Sequence, residues 1–326
     1  MKAIIPVAGF GTRMRPHTLT HPKVLLPVAD KPMIAHIVEK LIDDGVDELI
    51  FVVGHLGEQV QEFIRTQYQV PSRFIPQTEF LGLGHAIYTA GDYLQDEPLI
   101  IVLGDTIYDV DLKPVLESPY STLGVKKVAD PRRFGVAVLD ENGFITRLVE
   151  KPKEFVSDLA LVGLYFFRSG ARLKSALEEL IQKNIRTNNE FQLTDALQLM
   201  IEHGEKLSTF PVEGWYDCGK PETLLETNGI LLRRDFYRAS YAYPNTVIIP
   251  PVYIHPDAKV ENAVIGPNVT VWEGSEIRDS RIRDSILMKH CYVAGAVLEY
   301  SILGDHSRVE RKWEQLNIGD YSQESK

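Results

Sequence analysis

Residues 1–23 read MKAIIPVAGFGTRMRPHTLTHPK, and the fold turns on the loop that succeeds the apolar run 2–8. KAIIPVA is strand-like and breaks into Gly9-Phe10-Gly11-Thr12-Arg13, after which Pro16 and Pro22 interrupt the chain. A dinucleotide-binding turn must open directly into a helix that holds the pyrophosphate, with an acidic residue near the end of the second strand. Here the two prolines forbid a continuous helix, and the second strand-like run ends in Val53-Gly54-His55. A P-loop needs Gly-Lys-Ser/Thr at its end, which is missing. There remains an extended loop whose backbone N–H groups approach phosphates where glycine removes the Cβ, supported by Arg13 and Lys23. A plain tight turn is the alternative for any GxG after a strand, so the rest of the chain must decide.

Beyond this loop, the apolar runs 2–8, 48–53, 72–77 and 99–104 alternate with segments of helical period, the βαβ rhythm of a parallel sheet. Ile34, Ile37, Val38, Leu41 and Ile42 share a helix face that stops before Gly45, a C-cap candidate. GEQVQEFIRTQY and LGHAIYTAGDYLQ read as the next crossover helices, the second with Ala86, Ile87, Ala90 and Leu94 on one face. From about Ser121 strands dominate, before helices near 170–183 and 192–203, so the fold class is α/β with a mixed sheet whose antiparallel part is expected to cover the parallel one. The segment 221–240 reads as a connecting helix. After it, apolar pairs recur at near six-residue steps, among them Val247, Val252/Ile254, Ala258/Val260, Val264/Ile265 and Val269/Val271, the sign of a β-helix, with irregular hairpins as the bland alternative. Two domains are expected, 1–240 and 241–326, with the finish VERKWEQLNIGD as a cap.

A chain of 326 residues that is 44% hydrophobic and 25% charged has the composition of an ordinary globular protein. A formal charge of −10 argues against nucleic acid as a partner, and no apolar run approaches membrane-span length. Cys218 and Cys291 stand far apart without metal-ligand spacing, which fits a reducing, cytoplasmic setting.

The continuation AGFGTRMRPHTLTHPKVLLPVADKPMI resembles the signature of the sugar-1-phosphate nucleotidylyltransferases, GxGTRxxPxT followed by Pro-Lys. Further motifs come in that family's order. QTEFLGLGHA at 77–86 is similar to its base-recognition segment, VLGD at 102–105 to its first metal carboxylate and FGVAVLD at 134–140 to its sugar-contact strand. Glu150-Lys151-Pro152, GLYFF at 163–167, EFQLTDAL at 190–197 and WYDCG at 215–219 complete the set over about residues 1–230.

The resemblance implies a Rossmann-like mixed-sheet nucleotidyltransferase domain followed by a short left-handed β-helix. It implies transfer of a nucleotidyl group from dTTP or UTP to a hexose 1-phosphate such as glucose 1-phosphate, with Mg²⁺ as cofactor. Such a phosphate is already an anion, so in-line attack needs positioning and charge neutralisation rather than a base. By the same resemblance Ala8, Gly9, Gly11, Thr12 and Arg13 bind the triphosphate, Gln77 and Gly82 the base, and Asp105 and Asp217 the metal. Lys23 and Lys151 neutralise phosphates, while Gly135, Glu150, Gly163, Tyr165, Arg186 and Trp215 line the sugar-phosphate pocket. Tyr165 and Trp215 are equally readable as core aromatics.

Two positions depart from the pattern: Thr106 follows Asp105 where Asn is common, and Asn188-Asn189 precede Glu190 where some relatives carry Arg, with Arg186 as the stand-in. LGLGHA is closer to the uridylyltransferase branch and GTRMRPHTLTHPK to the thymidylyltransferases. A GTP/mannose 1-phosphate specificity, and a non-catalytic subunit that senses nucleotide sugars, stay as alternatives. Acyl transfer by the β-helix is disfavoured, since His255, His290 and His306 read as scattered, solvent-facing turn residues. The open ends of a short coil point to a homo-oligomer.

Overall fold

The computed structural model describes residues 1–311, so all but the first three residues of VERKWEQLNIGD, the expected cap, lie outside the described residues. Contacts divide the chain into two units, Met1–Leu26 with Lys31–Leu224, and Pro27–Asp30 with the chain from Leu225 onward.

In the first unit β1 (Lys2–Val7), α1 (Met33–Asp43), β2 (Glu48–Val53), α2 (Gly57–Gln67), β3 (Ser72–Pro76), α3 (Leu83–Thr89) and β4 (Leu99–Val102) realise the βαβ rhythm. After β4 come β5 (Thr106–Asp109), β6 (Ser121–Lys127), β7 (Gly135–Leu139), β8 (Ile145–Glu150) and β9 (Leu159–Phe167). Next are α4 (Gly170–Gln182), α5 (Leu193–Glu202), β10 (Leu207–Pro211), β11 (Gly214–Asp217) and α6 (Pro221–Phe236), whose residues from Leu225 onward belong to the second unit.

Nine strands make one sheet in the order β8-β7-β9-β4-β1-β2-β3, with β6 joining β9 to β10. The antiparallel part therefore does not cover the parallel part, as the strand-rich composition suggested. It continues the same sheet edge to edge, because β9 pairs antiparallel with β4 through Leu164–Phe167. β1 and β4 are buried on both faces, Ile4 and Ile101 in one apolar layer and Ile5 and Val102 in the other. That two-sided burial is why KAIIPV and LIIV read as unbroken apolar runs.

Three local expectations change. The helix begun by LGHAIYT ends at Thr89 and gives way to a single 3₁₀ turn, Gly91–Tyr93. Ala86, Ile87, Ala90 and Leu94 still enter one core layer. Ile42, counted on the buried face of α1, is 37% exposed. The loop after β1 is not extended throughout, since it folds into three one-turn 3₁₀ segments, Thr12–Met14, His17–Leu19 and Lys23–Leu25. Pro16 and Pro22 stand at the N-caps of the second and third, which stops any of them growing into a helix.

The second unit winds parallel strands into three four-stranded sheets, an arrangement consistent with a left-handed β-helix. Val247 pairs with Val264, 17 residues on, and Arg281 with Val297, 16 residues on, so one coil takes three sides of five to six residues. Val252 and Val269, and Ile254, Val271, Leu287 and Leu303, stack into its core. Val247 itself faces outward, 58% exposed, and its neighbour Ile248 packs on the core instead. Ser275, Ser280 and Ser285 sit buried at corners, accepting at 3.1 Å from the backbone N–H of Cys291, Ala296 and Ser301. His290 and His306 are not scattered: they occupy one column on successive coils and stack at 5.0 Å.

Candidate active site

β1 and β4 lie side by side and parallel, so the loops leaving their C-terminal ends open on the same edge of the sheet, where α/β folds bind ligands. A cleft of about 490 Å³ lies there, lined by Ala8, Gly9, Gly11, Thr12 and Arg13 from the first loop, Lys23 beyond it and Asp105 after β4. Gln77, Gly82 and Glu190 form further lining.

Gly9 and Gly11 are glycines for different reasons. A Cβ on Gly9 would meet no atom within 4 Å, so the fold does not require its absence and the room it leaves belongs to the cleft. Gly11 has φ +60, and a Cβ there would strike Thr18 Cγ2 at 2.9 Å. The Thr18 hydroxyl donates to the Gly11 carbonyl at 2.8 Å and ties the loop back on itself.

Lys23 Nζ donates to Asp105 Oδ2 at 2.7 Å. Burial alone would raise the Asp105 carboxyl, but the Lys23 ammonium and then the Arg13 guanidinium outweigh it and hold the group below the ordinary carboxylate value. Asp217 ends β11, the antiparallel partner of β5: in the β5–β11 ladder it stands opposite Thr106, and the Cys218 N–H donates to the Asp105 carbonyl at 3.3 Å. The Gly219 N–H donates to Asp217 Oδ1 at 2.8 Å, and Gly219 lines the cleft. Among the described residues no group of three or more His, Cys, Asp or Glu forms a metal cage. Asp105 and Asp217, brought close along the backbone, are the residue type for a cation that takes one or two carboxylates and completes its oxygen shell with substrate phosphates and water, as magnesium does.

The wall expected to meet the base differs from expectation. Gly82 has φ +112, and a Cβ there would sit 2.6 Å from the Phe191 carbonyl oxygen. Its bareness thus serves packing against residues 190–191. The Gly84 N–H donates to the Phe191 carbonyl and the Phe191 N–H to the Leu81 carbonyl, each at 2.8 Å. Asn188 and Asn189, both at positive φ, make the two-residue turn between Thr187 and Glu190.

The residues expected at the sugar phosphate fall largely outside the main cleft. Glu150 Oε2 accepts from the Thr194 hydroxyl at 2.7 Å, and Lys151 Nζ lies 3.2 Å from Oε1. A Cβ on Gly135 would come within 3.0 Å of that carboxylate. Glu150 lines a neighbouring hollow with Arg147, Thr187, Asp195 and Gln198 rather than the main cleft. Gly163, φ +81, gives room to Leu103, a cleft residue. Tyr165 is 4% exposed within the core, where burial and then Glu150 raise its hydroxyl well above the ordinary value. Trp215 packs edge-on against Phe134 at 5.0 Å, and its Nε1 is buried without a partner. Arg186 is spent locally: it donates to Asn184 Oδ1 at 2.8 Å and to the Asn189 carbonyl at 3.2 Å, and it lies 4.1 Å over the Phe191 ring. Thr106 is buried at the start of β5, its N–H on the Leu103 carbonyl. Neither is among the cleft-lining residues.

Sequence reading passed over Phe10 and Phe80, which line the cleft with rings 4.3 Å apart and remain 44% and 41% exposed. Both lie in loops where no periodicity marks them, and a large aromatic between two loop glycines was the one available signal. Thr194 and Glu190 stood inside a quoted motif without a role of their own.

The family profile described as Nucleotidyl transferase matches residues 2–234, and the one described as GMPPB C-terminal domain matches residues 248–319. The low-salt glycan biosynthesis nucleotidyltransferase Agl11 of Haloferax volcanii is 38% identical over 241 residues, 71% of this chain and 66% of that protein, so the chain spans about two thirds of its length. A glucose-1-phosphate thymidylyltransferase of Streptomyces antibioticus is 31% identical over 316 residues, 93% of this chain and 87% of that one. Among solved structures, UDP-glucose pyrophosphorylase complexed with UDP-glucose superposes with a TM-score of 0.64 at 28% identity, covering 72% of this chain and 98% of that chain.

Proposed function

This chain belongs to the nucleotidyl transferase family, and on that ground we propose that it transfers a nucleotidyl group from dTTP or UTP to a hexose 1-phosphate, most simply glucose 1-phosphate. One observation carries the reading: the glycine loop after β1 and Asp105 after β4 share a cleft with Gln77, and Lys23 bridges to Asp105 at 2.7 Å. In the reaction a phosphate oxygen of the sugar phosphate forms a bond to the α-phosphorus as the α–β P–O bond breaks. Pyrophosphate leaves with the electron pair, and no proton need move at neutral pH.

The residues divide that work. Backbone N–H groups of residues 8–12 and the Arg13 guanidinium bind the triphosphate and take up charge on the departing pyrophosphate. Lys23 and Lys151 neutralise the reacting phosphates, and Glu150, steadied by Thr194, accepts from sugar hydroxyls. Gly135 leaves space beside that carboxylate. Asp105 and Asp217 would hold a magnesium ion, which when bound draws charge off the phosphoryl oxygens. Two of the similar proteins, a glucose-1-phosphate thymidylyltransferase and a UDP-glucose pyrophosphorylase, support a pyrimidine triphosphate. Cys218 and Cys291, both buried and neither in a disulfide, agree with action in a reducing cytoplasm.

Pyrophosphate release from dTTP or UTP with glucose 1-phosphate and magnesium is the direct assay. Turnover is expected to fall by about 10³-fold or more in Asp105→Ala. Equal rates in that variant, or no release with any of four triphosphates against several hexose 1-phosphates, overturns the proposal.

A further inference from the structure

The one polar side chain in the cleft suited to read a base, Gln77, is itself read by a residue outside the cleft. Its amide nitrogen Nε2 stands 3.2 Å from Nδ1 of His85 and, at a longer 3.5 Å, faces the Gly82 carbonyl. An amide nitrogen only donates and a carbonyl only accepts, so the Gly82 contact by itself turns the nitrogen end of Gln77 toward α3. His85 Nδ1 must then be the acceptor, which puts the ring proton on Nε2. The two contacts agree on one arrangement: the lone pair of His85 Nδ1 faces the Gln77 amide N–H, and the Gln77 carbonyl oxygen is left as the end presented to the cleft.

We propose that His85 is a positioning residue that locks the Gln77 amide with its oxygen toward the nucleotide, so that the site selects bases carrying a ring imino N–H and rejects cytosine. The inference rests on the nucleotidyl-transfer reading of the cleft. Both donors of Nε2 are directed at Gly82 and His85, so what Gln77 offers the base is an acceptor. Uracil and thymine meet it with N3–H. Cytosine has a lone pair at the same ring position, and two acceptors face to face leave both unpaired in a desolvated site. Free to flip, the same amide offers its NH₂ and the discrimination is lost.

The arrangement depends on a neutral ring. Burial disfavours the imidazolium; the Glu79 carboxylate and backbone favour it and Arg186 disfavours it, and the balance lies below the ordinary histidine value. Tyr88, with its ring centroid 6.4 Å away, also borders the imidazole and adds no charge while its hydroxyl stays protonated. Protonation puts an N–H at Nδ1 against the N–H of Gln77, which favours the flipped amide.

The experiment measures kcat and KM with UTP, dTTP and CTP for the full chain, its His85→Phe variant and its His85→Asn variant, from about pH 8 to about pH 5.5. Taking the UTP-to-CTP ratio at each pH cancels the titration of the phosphates themselves. In the unaltered protein the ratio is high at the upper end and falls as the pH drops. In H85F it falls by about tenfold, through KM rather than kcat, and no longer varies with pH. In H85N, whose side-chain oxygen restores an acceptor that does not titrate, the ratio recovers and stays flat. An H85F ratio equal to that of the unaltered protein with the same pH profile, or efficient use of CTP by the unaltered protein, overturns the inference while leaving nucleotidyl transfer standing. Absence of turnover with every triphosphate overturns the transfer reading; calorimetric binding of UTP and CTP to the same three proteins then decides the role of His85 separately. If H85F does not fold, the flat profile expected of H85N decides alone.

Discussion

At the scale of the residue, the pairing of Lys23 with Asp105 does the most to define the cleft's chemistry, and it yields a pH prediction. Burial raises the Asp105 carboxyl and two cations lower it. Lys23→Met removes the nearer cation and leaves burial less opposed, so the pKa of Asp105 moves up. The acid limb of the pH–rate profile is expected to move up with it, and kcat at neutral pH to fall by ~10²-fold. An acid limb at an unchanged pH would show that other groups set the ionisation of Asp105. The motif residues from Ala8 to Arg13, with Lys23, Gln77, Gly82 and Asp105, were legible in the sequence because each belongs to a short contiguous stretch. Their reasons were less so. Gly82 looks like a glycine spared for a ligand and is one spared for Phe191, whereas Gly9 is bare with nothing of the protein in its way. Arg186 looked available and is tied to Asn184, Asn189 and the Phe191 ring, contacts that hairpin closure creates.

At the scale of the element, apolar period located nearly every helix and strand, and it failed where the period outlasted the structure. The apolar face of LGHAIYTAGDYLQ runs on to Leu94, yet the helix ends at Thr89, because a 3₁₀ turn keeps the same side chains inward at a tighter winding. Polar residues inside elements carry no period at all. Asn228 in α6 is fully buried; its Oδ1 accepts from the Ala29 N–H and from the Thr270 hydroxyl, both at 2.8 Å, within the second unit. Asn228→Leu leaves those two buried donors without an acceptor, and is expected to lower stability by about 2–4 kcal/mol, read by chemical denaturation. A loss under about 0.5 kcal/mol would mean that the donors find other acceptors.

At the scale of the whole molecule, the second unit carries its own prediction. Val247 and Val297 stand in the first and fourth strands of one face of the coil, 58% and 75% exposed, and Tyr300, just after the fourth strand, is 70% exposed. Apolar side chains so exposed on a flat parallel sheet favour a second surface over water, and self-association is expected in light scattering at micromolar concentration. A monomer at every concentration would remove the coil from that role. Among the described residues no helix is long and apolar enough to cross a membrane. The α/β class, the coil that succeeds it and the glycine loop after the first strand were determined by the order of amino acids alone, since each is written in neighbouring residues or in a local period. Tertiary packing was needed to decide that the antiparallel strands continue the first sheet, that Glu150 keeps company with Thr194 rather than with Arg13, and that His85 governs Gln77. Those are choices among partners far apart along the chain, and their energies depend on distance and burial that no local pattern encodes.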